Sequence, residues 1–334
     1  MKIYPPIGVT TTNDQENSWR EKVARNSAAF NRNVPLKLNF GEVLSTILPM
    51  PWRDYLATND CSQYSTPMWN EHLMKIFTLF SSNRKDLLLD DLVRYACYLS
   101  TGGAYIEKQI AYLQSKYTTQ TLHRLLKEDV AYLQDIAIEQ YETSESRLHH
   151  LTHLTVASES LEELPDKLTK MVEFGAGYGS MTSLLRRLNP SSTQLVVDFP
   201  VMLLVQAYYL RIAYPEIPIT FVRSEIDINI GGINLIPISA VPSLSEVISK
   251  LGVEIFIATF SLSEGNAATK ILIQDTVRFF NARSVLYAYR SYETTNARQP
   301  ESIPLSPDEI YKTVNHLTSF WSKSNEFMYQ IMTR

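Results

Sequence analysis

The stretch KMVEFGAGYGSMTSLLRRL, Lys170–Leu188, decides how the rest of the chain is read. A short apolar run carrying one acid, Glu173, leads into glycines at alternate positions, Gly175, Gly177 and Gly179, and a helical pattern follows at once. Glycine reaches backbone angles closed to other residues and lets a partner approach the main chain. The stretch therefore reads as strand, tight loop and helix. The rhythm continues downstream. TQLVVDF (Thr193–Phe199) is a second strand, and Pro200 suits the first turn of the helix after it, where a missing N–H costs nothing. Further strands are expected at Pro218–Arg223, Gly252–Phe260 and Arg283–Tyr289, with a helix on NAATKILIQDTVRFF between the last two. Gly231-Gly232, flanked by alternating apolar residues, reads as a hairpin. Ser306–Glu309 reads as a cap and acidic first turn opening a helix to about Leu317. Phe320–Ser324 and Glu326–Arg334 are expected to close the domain as an antiparallel pair. Strands alternating with helices imply an α/β domain with a mostly parallel sheet covered on both faces.

Before residue 165 helical patterns dominate. Helices are expected over Arg84–Ser100, broken by Gly102-Gly103, and over Ala104–Tyr117, Thr119–Glu142 and Ser144–Leu161. The first 80 residues, rich in Asn, Pro and Thr, suggest short helices and irregular segments. The expected division is a helical region over 1–164 and an α/β domain over 165–334. With 45% hydrophobic and 20% charged residues, the 334-residue chain has the balance of a globular protein able to bury a core. A net charge of −4 without a basic patch argues against a nucleic-acid partner. Cys61 and Cys97, the only cysteines, have neither a metal-site spacing nor a disulfide framework. The longest apolar-rich run, Leu195–Tyr214, carries Asp198, Pro200, Gln206 and Arg211, which a membrane span tolerates poorly. The N-terminus lacks an apolar core of signal-peptide length, so a cytoplasmic location is expected.

In a sheet of this kind ligands sit at the carboxyl ends of the strands, where strand order reverses. A dinucleotide site wants G-x-G-x-x-G, whereas Gly175–Gly179 is spaced G-x-G-x-G and Ser180 occupies the third dinucleotide position. Glu173 ends the first strand and Asp198 the second. A carboxylate at the latter point can accept hydrogen bonds from both hydroxyls of a ribose, or can simply cap the following helix.

VEFGAGYG together with VVDFP resembles the cofactor site of class I S-adenosylmethionine-dependent methyltransferases. The segment ATFSLSEG, Ala258–Gly265, is similar to one in the bacterial family of sugar O-methyltransferases. The resemblance covers about residues 165 to 334. It implies a Rossmann-like methyltransferase fold with a seven-stranded, mostly parallel sheet beside the helical N-terminal region, and S-adenosylmethionine as cofactor. On the same basis Gly175, Ala176, Gly177, Tyr178 and Gly179 would pass under the cofactor with Glu173 before them. Asp198 would hold the ribose, with Phe199 next to it, and Ser261 would contribute from the fourth strand's end.

The acceptor is a separate question. Glu264, after the fourth strand, reads as the base that takes the acceptor's proton, as a group that orients substrate or cofactor, or as a helix cap or ion-pair partner. Ser261 and Ser263 read as hydrogen-bonding wall residues. RLHHLTHLT places His149 and His153 four apart on one side of a helix, making His153 a second catalytic candidate and His149 a substrate contact. No third ligand lies nearby, so no metal is expected. His316 is expected on the C-terminal helix. Arg290 and Tyr292, at the rim after the fifth strand, suit a sugar or an anion. The N-terminal helices are expected to form the acceptor pocket or lid and a homodimer contact. C- or N-methylation of a small amino-acid-like or natural-product intermediate stays open, as do an NAD(P)-binding oxidoreductase and a non-catalytic binding module.

Overall fold

The fold is that of a computed structural model, which describes residues 39–82, 86–97, 106–128, 136–138, 141–162, 165–290, 311–318 and 327–334. In the N-terminal half, α1 (Phe40–Ser45) starts on a reciprocal cap: Asn39 Oδ1 accepts from Glu42 N at 2.9 Å, and Asn39 N donates to Glu42 Oε2 at 2.7 Å. Next come α2 (Trp52–Ala57) and α3 (Pro67–Phe80), the latter capped by Thr66 with Pro67 in its first turn. Phe40 stacks on Phe80 at 4.3 Å and meets Tyr208 of the α/β domain at 5.6 Å. The helical region and that domain thus share one apolar core.

Two expected helices are shorter than their patterns. Over Arg84–Ser100 a 3₁₀ turn at Leu87–Leu89 precedes α4 (Asp91–Ala96). The break falls at Asp90, whose Oδ1 accepts from Leu92 N at 3.0 Å, so this acid starts a helix rather than riding inside one. The helix α5 (Ile106–Lys116) forms as expected. The single helix expected over Thr119–Glu142 is instead α6 (Thr119–Leu126) followed by an antiparallel pair, β1 (Ile136–Ile138) and β2 (Tyr141–Thr143). Lys127 turns to φ −53°, ψ 123°, and the next residue, Glu128, is fully buried among donors from distant segments. The chain leaves the helix there, and Glu128 Oε1 joins hydrogen bonds from Arg147, Tyr178 and Tyr209. Then α7 (Glu145–Leu161) runs from the Ser144 cap, as expected.

The α/β half contains β3 (Lys170–Phe174), α8 (Ser180–Leu188), β4 (Thr193–Asp198), α9 (Pro200–Ala213), β5 (Ile219–Phe221), β6 (Ile233–Pro237) and α10 (Val241–Lys250). It continues with β7 (Ile255–Thr259), α11 (Ser261–Glu264), α12 (Ala267–Ile271), β8 (Ser284–Arg290), β9 (Lys312–Thr318) and β10 (Phe327–Thr333). Among the described residues the sheet has eight strands, in the order β5-β6-β4-β3-β7-β8-β10-β9, rather than the expected seven. Pairing is parallel from β5 to β8 and antiparallel at β10, which joins β8 and β9. The Rossmann-like reading therefore holds. From β3 the chain builds outward to β4 and β6, then returns to add β7 and β8 on the other side. Strand order reverses beside β3, which opens a crevice at its carboxyl end.

Two further expectations are corrected. Gly231-Gly232 makes no hairpin: β5 and β6 are parallel neighbours, and Gly231, at φ +81°, turns the chain into β6. Every residue of β6 is buried, because it lies between β5 and β4, and a strand covered on both faces reads as a continuous apolar run. The region expected as a helix to Leu317 contains β9, and His316 lies on that strand. Thr313 and Thr318 are β-branched and pair with Met332 and Met328 of β10. The cap at Ser306–Glu309 and the strand at Phe320–Ser324 lie outside the described residues. The C-terminal strand is present as β10, paired with β8 and β9.

Candidate cofactor and acceptor site

The glycine loop runs from the end of β3 to the start of α8. Gly175, Gly177 and Gly179 have φ of +71°, +58° and +102°, so all three use the left-handed region that a side chain disfavours. Gly175 has a second reason to lack a side chain: a Cβ there would lie 2.1 Å from Ser261 Cβ. Ser261, the first residue of α11, donates its hydroxyl to Phe174 O. The loop is also held by bonds of its own, Gly175 N to Val197 O at 2.9 Å and Gly179 N to Ala176 O at 2.8 Å.

Asp198 lies at the end of β4 beside this loop. Its Oδ2 accepts from Ala176 N at 3.1 Å and from Gln206 Nε2 at 2.7 Å, and its Oδ1 accepts from Phe199 N at 2.7 Å. Gln206 of α9, which no sequence motif ties to the loop, also donates to Gly177 O at 3.1 Å. One carboxylate and one amide thus tie loop, strand and helix together. Three acceptor positions are used, and a fourth remains. Burial pushes the Asp198 carboxyl up to about 7, against the lowering effect of these donors. Glu173 is pushed up to about 8, first by burial and further by Asp198, while Thr182 Oγ1, at 2.5 Å from its Oε2, opposes the rise. Its Oε1 and the Ser180 hydroxyl are buried without a hydrogen-bond partner.

A carboxyl whose folded pKa is raised binds more protons folded than unfolded. Its contribution to stability is therefore fully present in acid and is lost as pH rises from the ordinary carboxylate range through about 8 for Glu173. Glu173→Gln is expected to leave stability near pH 4 unchanged and to raise it by about 1–3 kcal/mol near pH 9. Urea unfolding at the two pH values measures this, and an equal shift at both would refute the burial effect.

The N-terminal half covers the same end of the sheet. Asn266 Nδ2, at the start of α12, donates to Gln63 O at 2.9 Å and Ser65 O at 3.2 Å, and Thr269 Oγ1 donates to Tyr64 O at 2.7 Å. Trp69 faces Phe199 with ring centroids 6.2 Å apart. Cys97 packs over the loop, its carbonyl oxygen 3.6 Å from the Cβ position of Gly177. The Cys61 thiol is pushed up to about 12, by burial first and then by Asp60 and Asp198. Residues 61–69 and Cys97 therefore border the crevice. A tertiary contact places them there, and no motif in the sequence marks them.

At the end of β7, Ser261, Ser263 and Glu264 lie on α11, with Glu264 half-buried. Ser263 Oγ donates to Phe260 O at 2.5 Å and hydrogen-bonds with Tyr287. Phe260, at φ +68°, is the pivot between β7 and α11. His153 of α7 reaches the same residue, with ring centroids 5.7 Å apart, and meets Tyr329 at 5.2 Å. Its imidazole is 1% exposed, and burial lowers its pKa well below the usual value, so it is neutral. His149 lies one turn earlier, 3.4 Å from Glu145 Oε1. His316 accepts from or donates to Tyr289 OH across 2.6 Å. The side chain of Arg290 and the whole of Tyr292 lie outside the described residues. Among the described residues no cluster of three or more His, Cys, Asp or Glu is placed to hold a metal. A surface groove of about 420 Å³, lined by α10 and Thr276–Asn281, lies at the opposite end of the sheet from the glycine loop.

No family model matches the chain, and no curated protein matches it either. Among solved structures it is similar to MtNAS in complex with MTA and tNA, at 9% identity over 97% of this chain and 99% of that one, TM-score 0.34. It is similar to magnesium protoporphyrin IX methyltransferase (ChlM) from Synechocystis with bound SAM, at 9% identity over 68% and 97%, TM-score 0.32. The N-terminal domain of EvdMO1 with SAH bound shares 11% identity over 68% and 97%, TM-score 0.34. Likenesses at these scores carry no argument about activity. No helix among the described residues is long and apolar enough to cross a membrane.

Proposed function

We propose that this chain is a cytoplasmic S-adenosylmethionine-dependent methyltransferase acting on a hydroxyl of a sugar or glycoconjugate. The observation that carries the reading is the left-handed glycine loop bonded through Ala176 N to Asp198 at the point where strand order reverses. The groups present fit such a cofactor. Asp198 keeps one acceptor position, and Glu173 Oε1 and Ser180 Oγ are buried without partners. Gly175–Gly179 would hold the cofactor against the main chain, with Asp198 and Phe199 on its ribose side and Ser261 across the loop. Bound S-adenosylmethionine supplies an electrophilic sulfonium methyl.

The protein's own part is alignment and proton removal. Glu264 is the base for the acceptor hydroxyl, and Ser263 orients the acceptor. His153 packs behind Phe260 and holds α11 in place, His149 lies on the outer acceptor side, and Arg290 and Tyr292 are acceptor contacts on the sequence reading alone. The N-terminal helices close the pocket and offer a homodimer contact. No metal is needed on this reading, because a carboxylate within reach can take the hydroxyl proton as the oxygen attacks the methyl group.

Calorimetry with S-adenosylhomocysteine and with nicotinamide cofactors tests the class. Micromolar binding of the first alone is expected, and tight nicotinamide binding alone would make the chain an oxidoreductase. With sugar and nucleotide-sugar acceptors, Glu264→Gln is expected to lower kcat by about 10²-fold or more, with S-adenosylhomocysteine affinity unchanged. Full turnover in that variant removes Glu264 from the chemistry. Binding without turnover on any acceptor would mark a binding module.

A further inference from the structure

We propose that Glu128, two residues past α6 in the N-terminal helical region, is a positioning residue for the glycine loop and sets its affinity for the cofactor through Tyr178. The affinity part rests on the reading of the loop as the cofactor cradle.

Tyr178 is the loop's one large side chain, and it points away from solvent, down between the helices. Its hydroxyl donates to Glu128 Oε1 at 2.8 Å and lies 3.0 Å from Ser144 Oγ, the cap of α7. Its ring meets the Tyr209 ring edge-on at 4.9 Å. The same Glu128 oxygen accepts from Tyr209 OH at 2.9 Å and from Arg147 Nη2 at 3.3 Å. Arg147 Nη2 also reaches Ser183 Oγ of α8 at 2.8 Å and Tyr209 OH of α9 at 3.0 Å. Glu128 and Arg147 are both fully buried.

This cluster is poorly built for stability alone. Buried ion pairs rarely outperform apolar packing of the same volume, and here Glu128 Oε2, Arg147 Nε and Arg147 Nη1 are buried without partners. What the cluster does deliver is a fixed point for five residues that contain three glycines and have the greatest backbone freedom to lose. Ordering that loop before the ligand arrives removes a cost of binding. The N-terminal half therefore acts on the cofactor site from beneath as well as covering it from above.

Tyr178→Phe and Tyr209→Phe separate positioning from packing, because each removes one hydroxyl donor to the same Glu128 oxygen and only the first lies in the loop. Tyr178→Phe is expected to weaken S-adenosylhomocysteine binding about tenfold, close to the loss of one hydrogen bond's worth of preorganisation. It is also expected to speed amide hydrogen exchange at Gly177–Ser180 in the ligand-free protein. Tyr209→Phe is expected to lower Tm at least as much and to leave affinity and loop exchange at wild-type values. Equal effects of the two variants, or unchanged loop exchange in Tyr178→Phe, would overturn the proposal. Should the wild-type protein bind no S-adenosylhomocysteine while the exchange difference persists, the positioning role stands and the cofactor reading fails.

Discussion

Gly175→Ala is expected to cost about 2–5 kcal/mol and to weaken S-adenosylhomocysteine binding on the order of 100-fold, the sum of two separable effects. The φ of +71° imposes a left-handed conformation on alanine, about 1–2 kcal/mol. The new Cβ would stand 2.1 Å from Ser261 Cβ, a contact with the root of a side chain whose hydroxyl is held by Phe174 O, so α11 or the loop must move. Overpacking of this kind costs about 1–3 kcal/mol. The second variant Gly175→Ala/Ser261→Gly removes the clash and keeps the strained φ, so about half of the loss should return. Scanning calorimetry and binding calorimetry on the three proteins measure both parts. A Gly175→Ala protein with wild-type Tm would show that the loop is not where the sheet places it.

Asp198→Ala is expected to be the next most damaging change. It strands Ala176 N, Phe199 N and one N–H of Gln206 Nε2, which now donate to the carboxylate, in a site that is 7% exposed. Each unmet buried donor costs about 1–3 kcal/mol, although the loop can relax to recover part of that. A loss of about 2–4 kcal/mol in stability is expected, with cofactor affinity falling by a further factor of about 10. Asp198→Asn, which keeps one acceptor oxygen, should fall between the two.

Its pH dependence carries a definite sign. With a folded pKa of about 7, Asp198 is neutral in mild acid and charged above. A charged carboxylate is the stronger acceptor for ribose hydroxyls. Cofactor affinity is therefore expected to rise between pH 6 and pH 8, and the rise should vanish in Asp198→Asn. Stability moves the other way: the group's contribution is fully present below the ordinary carboxylate range and is lost as pH rises through about 7. Opposite slopes of affinity and stability in the wild type are the signature, and parallel slopes would rule it out.

The candidate cofactor site was largely legible in the primary structure, and the reason is local. Three left-handed φ angles in five residues admit little besides glycine, and Glu173, next to last in β3, and Asp198, last in β4, lie at fixed distances in sequence from that loop. The parallel pairing of β3 with β4 and β7 agrees with the expectation of a mostly parallel sheet covered on both faces. Elsewhere the pattern misled where a distant group outweighed a local preference. The helix from Thr119 stops at Leu126, and the next residue but one, Glu128, is buried against Arg147, Tyr178 and Tyr209, the last of them 81 residues away. Lys312–Thr318 is a strand because β10 is there to pair with it. Ile233–Pro237 is an inner strand because β5 lies outside it.

The amino-acid sequence by itself determined the strand-loop-helix unit, the alternation that builds a mostly parallel sheet, and the acids at the strand ends, because each depends on backbone angles and spacings within about thirty residues. The tertiary structure alone decided that Gln206 joins Asp198 to the loop, that Trp69, Cys61 and Cys97 border the crevice, and that Glu128 holds Tyr178 from beneath. Those contacts arise from burial and hydrogen bonding between segments remote along the chain, and no periodicity records which remote donor a buried carboxylate will find.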